Sequence, residues 1–80
     1  MNQFSKEIMV GKQKRMFYFN RLQNTQGVKF FITSHNEEKI AISFSVKENE
    51  HAEWKLFPGA ARWLYTIESQ LSDAIVETRL

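Results

Sequence analysis

Up to Phe57, apolar residues recur at every second position within short segments separated by polar turns; beyond the single proline, Pro58, they recur at helical spacing. A period of two suits a strand with one buried face. A period of 3.6 suits an amphipathic helix. An 80-residue chain that switches in this way is constrained to a sheet followed by a helix. Each must bury its apolar side against the other, which is an α+β arrangement.

Residues 3–10 place Phe4, Ile8 and Val10 on one side and Ser5, Glu7 and Met9 on the other. Lys6 interrupts the apolar set and predicts an edge strand, where a charge discourages unwanted pairing. Gly11 to Lys14 reads as a turn. Residues 15–22 predict a second strand, with Phe17 and Phe19 inward and Tyr18, Asn20 and Leu22 outward. Gln23 to Gly27 closes a hairpin, and Gly27 tolerates positive φ. Residues 28–34 predict a third strand, with Val28, Phe30 and Ile32 inward and Lys29, Phe31 and Thr33 outward.

A turn over 35–38 follows. Residues 39–47 then alternate most cleanly: Ile40, Ile42, Phe44 and Val46 inward, Lys39, Ala41, Ser43, Ser45 and Lys47 outward. Residues 48–51 read as a loop, and 52–57 as a short last strand or an extended lead-in. Pro58 is expected at the start of the helix, where its missing N–H costs nothing. From there Ala60, Trp63, Leu64, Ile67, Leu71, Ala74, Ile75 and Thr78 share one stripe, on a helix of about five turns. Trp63 keeps the spacing of its apolar neighbours and is assigned to the core. Tyr65 and Val76 lie off the stripe, where they could serve a partner. The expected architecture is an antiparallel sheet of four or five strands with one C-terminal helix on one face and the other face open.

The chain has no cysteine, so neither disulfides nor thiolate-held zinc can add stability. A domain this small is marginal alone, which makes dimerisation the simplest further source. No apolar run is long enough for a membrane helix. No apolar signal core follows Met1 to Glu7, so the cytoplasm, nucleoid included, is the expected compartment. The net charge of +2 is unevenly spread: +5 over residues 1–34, −2 over 35–57 and −1 over 58–80. A basic first half is the usual footprint for a polyanion, although a solvated strand face reads the same way.

Enzyme chemistry is not expected, and neither is a cofactor or metal. His35 and His51 lie near Glu37, Glu38, Glu50 and Glu53 but without metal-ligand spacing. Asp73 and Glu77 stand four apart on the helix with no nucleophile beside them. The three glycines are scattered and form no phosphate loop. What stands out is the 15–32 hairpin, where rings and cations interleave. Sheets bind single-stranded nucleic acid in this way, by stacking on bases and neutralising phosphates. Tyr18 and Phe31 are the expected stacking rings. Asn20 and Asn24 are expected to hydrogen-bond bases or sugars. Lys14, Arg15, Lys29, Lys39 and Lys47 are expected to track phosphates. The alternative is a protein-interaction module whose open face takes a peptide or another subunit on Tyr18 and Phe31.

Phe17-Tyr18-Phe19-Asn20-Arg21-Leu22-Gln23-Asn24-Thr25-Gln26-Gly27 resembles the hairpin of a PUR repeat, found in the Pur-alpha family and its single-repeat bacterial relatives. That family's pattern is close to Phe-Tyr-Phe-Asp-Val-Lys-Gln-Asn-x-Arg-Gly. Phe4-Ser5-Lys6 and Lys14-Arg15 resemble the bacterial lead-in, and the order of strands and helix agrees over nearly the whole chain. The resemblance implies a curved, Whirly-like sheet. It also implies that residues 1–80 form one repeat, half of an intertwined homodimer that binds single-stranded DNA or RNA with little sequence preference. The family's nucleic-acid-contacting Lys, Asn and Arg fall here on Leu22, Asn24 and Gln26, so Asn24 is the one retained. The family's ring two residues past the Gly is Lys29 here, and its basic position two further on is Phe31. Ring and cation have exchanged places.

Overall fold

Turns of two residues set the register of the first three strands. The computed structural model describes residues 3–35 and 39–78. β1 (Gln3–Val10) joins β2 (Gln13–Asn24) through Gly11 and Lys12, and β2 joins β3 (Gly27–His35) through Thr25 and Gln26. Both turns are shorter than the sequence pattern predicts, so β2 runs longer. Gly11 and Gly27 take φ of +63° and +115°, a region that glycine enters without a Cβ penalty. The Asn24 side-chain oxygen accepts the Gln26 N–H at 2.8 Å and locks the second turn.

β4 (Ala41–Glu48) and β5 (Trp54–Leu56) complete a five-stranded meander in the order β1-β2-β3-β4-β5, antiparallel throughout. The sheet is curved. Segment 39–57 is thus two strands, and both begin later than expected. Lys39 has φ of +64°, β4 starts at Ala41, and Ile40 is 57% exposed rather than in the core. A left-handed residue breaks the period-two alternation there, so the inward register that holds Ile42 does not extend to Ile40. The rest of the expected turn, 36–38, lies outside the described residues. Between β4 and β5 the Asn49 side-chain oxygen accepts the N–H groups of His51 and Glu53, at 2.9 and 3.0 Å. That clasp, with Ala52 at φ +62°, delays the strand until Trp54.

Pro58 does not open the helix, and this corrects the sequence reading. Gly59, at φ +92°, keeps the chain in a turn. A 3-10 helix, Arg62–Ile67, comes first and runs into α1 (Glu68–Thr78). Leu64 and Ile67 are three apart and both buried, which suits three residues per turn. The Thr66 hydroxyl donates to the Trp63 carbonyl at 2.6 Å within that segment. Leu71, Ala74 and Ile75 continue the buried stripe, Ala60 and Trp63 pack at its margin, and Thr78 is exposed.

The helix covers one face of the sheet. Phe17, Phe19, Ile32, Val46 and Trp54 point into it and are almost fully buried. Each contributes about 1.5–3 kcal/mol through burial. Phe4 stacks on Phe19 with centroids 4.4 Å apart, and Phe30 meets Trp54 edge-on at 5.0 Å. At the β5 end, Glu68 and Ser72 of α1 accept the N–H groups of Leu56 and Trp54 at 2.8 and 3.2 Å. At the β1 end, Glu77 faces Lys6 at 3.7 Å. α1 therefore crosses from one sheet edge to the other. Its polar side chains occupy the N–H groups along the outer edge of β5, which would otherwise invite strand pairing.

Candidate nucleic-acid interface

Residues paired across antiparallel strands project from the same face, so the register reads out the open face row by row. One row is Gln3, Asn20, Phe31 and Ser45. The Phe57 N–H donates to the Ser45 carbonyl at 3.1 Å and extends that row beyond β5. On one side of it lies the row Leu22, Lys29, Lys47 and Lys55. On the other side lies Ser5, Tyr18, Thr33 and Ser43. Neighbouring rows are two residues apart along a strand, about 7 Å. A row with two phenylalanines is thus flanked by a row with three lysines.

Of the expected site residues, Tyr18, Asn20, Lys29, Phe31 and Lys47 come together on this face. Phe31 and Tyr18 are 39% and 41% exposed although each sits mid-strand. The Tyr18 ring lies 5.7 Å from that of His35, which stands two positions along β3 from Thr33, the cross-strand partner of Tyr18. The Ser43 and Thr33 hydroxyls meet at 3.4 Å, so the strip beside Phe31 is low and polar. Asn24 lies at the hairpin end, with its oxygen engaged by the turn and its NH2 left to donate outward. Lys14 is on the same face but further along, 3.9 Å from Glu7.

Arg15 and Lys39 do not join this set. Arg15 shares its register with Phe17 and Phe19, so it points under the helix. Its Nε donates to the Ser34 hydroxyl at 2.8 Å, and its guanidinium lies 5.0 Å from the Trp63 ring centroid. The fully buried Ser34 hydroxyl in turn donates to the Met16 carbonyl at 2.8 Å. Arg15 is a structural cation here, held against an aromatic face. Lys39 precedes β4 and belongs to no row.

Two members of the open face were missed by the sequence reading: Lys55 and Phe57. Segment 52–57 is short and follows an acidic loop, so its basic and aromatic residues carry a weak sequence signal. The signal was present as an alternation, with Trp54 and Leu56 buried and Lys55 and Phe57 exposed. Lys55 also faces Glu68 at 3.6 Å around the sheet edge. Among the described strand residues, the open face carries Lys14, Lys29, Lys47 and Lys55 against the single acid Glu7.

Among the described residues, no three His, Asp or Glu side chains are placed to hold a metal ion, and no helix is long and apolar enough to cross a membrane. No family model, curated protein or solved structure matches this chain.

Proposed function

We propose that this protein binds single-stranded nucleic acid across its open sheet face, with little sequence preference, as a homodimer of PUR-like repeats. One observation carries the reading: the row holding Phe31 runs beside the row holding Lys29 and Lys47. Rings in one row can stack on bases while cations in the next meet the phosphates. Tyr18 offers a further ring one row away. Asn20 supplies hydrogen bonds beside Phe31, and Asn24 supplies them at the hairpin end. Stacking accepts every base, and a row of lysines reads charge alone, so sequence preference is low.

Support for the repeat assignment comes from the Phe17–Gly27 hairpin and from the shape, a curved antiparallel sheet followed by one helix. Support for a second copy comes from the small size of the chain and from Tyr65 and Val76, which are exposed on the helical segments. Light scattering at micromolar concentration should give twice the chain mass, and a monomer mass would remove the dimer from the proposal.

Fluorescence anisotropy of labelled dT and rU oligonucleotides, titrated at two salt concentrations, tests the function itself. Binding should weaken at the higher salt through counterion release, and Phe31→Ala should weaken it at both. No binding at low salt would overturn the reading and direct attention to peptide partners of the same face.

A further inference from the structure

The strand that closes the sheet carries a ring and a cation in register with the rows of the open face. We infer that β5 and the residue after it form the far end of the nucleic-acid track, with Phe57 as a second stacking ring in the Phe31 row and Lys55 as a third phosphate contact in the row of Lys29 and Lys47. This inference rests on the binding role proposed above and specifies how far that site extends.

Three observations carry it. Phe57 is 38% exposed, close to Phe31, and its backbone bond to Ser45 fixes it in the Phe31 row. Two strand spacings, about 10 Å, separate their backbones, with only the small Ser45 side chain between. The Lys29 ammonium already lies over the Phe57 ring, 5.7 Å from its centroid. That ring therefore presents its face on the open side and has a cation at hand. A base stacking on Phe57 would displace Lys29 toward the attached phosphate. Finally, Lys47 pairs directly with Lys55 and with Lys29, so the three cations form one line across β3, β4 and β5. A line of like charges across neighbouring strands is unfavourable by itself, and a polyanion laid along it relieves the repulsion.

Glu68 gives the track an internal competitor. One of its oxygens accepts the Leu56 N–H at 2.8 Å, and the other lies 3.6 Å from the Lys55 ammonium. A phosphate at Lys55 must displace that carboxylate from the ammonium. Glu68→Gln retains an acceptor for Leu56 and removes the competing charge.

The test is anisotropy of a labelled dT oligonucleotide with the full chain and with Phe57→Ala, Lys55→Gln and Glu68→Gln, each first shown to be folded by circular dichroism. The inference predicts about a tenfold loss for Phe57→Ala. For Lys55→Gln it predicts a slope of log K against log salt that is shallower by about 0.7. Glu68→Gln should bind more tightly than the unsubstituted chain. Phe57→Ala and Lys55→Gln that bind like the unsubstituted chain would overturn the extension to β5 and leave the function standing. No binding by the unsubstituted chain would overturn both.

Discussion

On the helix-covered side, β2 presents Arg15, Phe17 and Phe19; on the other side, the same strand presents Met16, Tyr18 and Asn20. The first set is held by its own molecule. Both phenylalanines are buried, and Arg15 rests on Ser34 and Trp63. The second set faces outward. Single exposed apolar residues are common and need no reason. Here Met9, Tyr18, Leu22, Phe31 and Phe57 are all exposed on one face of one sheet, beside lysines in register. The contrast teaches that a ring's role in this fold follows from its register. Inward rings supply stability, and outward rings are available to a ligand.

Substitutions on the two faces should therefore separate stability from binding. The largest effect is expected at the core: Phe19→Ala should destabilise the fold by about 3–5 kcal/mol in urea unfolding. Phe31→Ala should change stability by no more than about 0.5 kcal/mol. Comparable losses at both positions would erase the distinction between the faces. Next, Phe31→Ala should reduce oligonucleotide affinity by about 1–3 kcal/mol, read by anisotropy. Ser34→Ala should show the reverse behaviour. It strips the partner from the Arg15 Nε and should cost about 1–3 kcal/mol of stability, with affinity and salt dependence unchanged; a shallower salt slope would place Arg15 at the ligand after all. The smallest effect is expected at the rim, where Lys6→Ala breaks an exposed ion pair with Glu77 and should cost less than about 1 kcal/mol.

Much of this arrangement was legible in the sequence because strand alternation is a strong signal when one face is buried. Phe17, Phe19, Phe30, Ile32, Phe44 and Val46 all point as their spacing predicts. The outward placement of Tyr18 and Phe31 follows from the same parity. Two departures, at Ile40 and at Pro58, share a cause, which is backbone conformation that side-chain pattern does not report. Lys39 in the left-handed region excludes Ile40 from the core, and Gly59 in that region defers the helix past Pro58. Arg15 departs from its expected place for a different reason. Its charge suggested solvent, but its parity placed it with Phe17, and a guanidinium can lie on a tryptophan face as readily as in water. Lys55 and Phe57 escaped because a three-residue strand is too short to establish a period.

Ultraviolet cross-linking of the folded protein to a dT oligonucleotide, with the adducts mapped by mass spectrometry, tests the open-face account most directly. Adducts are expected at Tyr18 and Phe31, with Phe57 among them if the track reaches β5. Adducts at Trp63 or Tyr65, with Tyr18 and Phe31 untouched, would place the ligand on the helical side and contradict it.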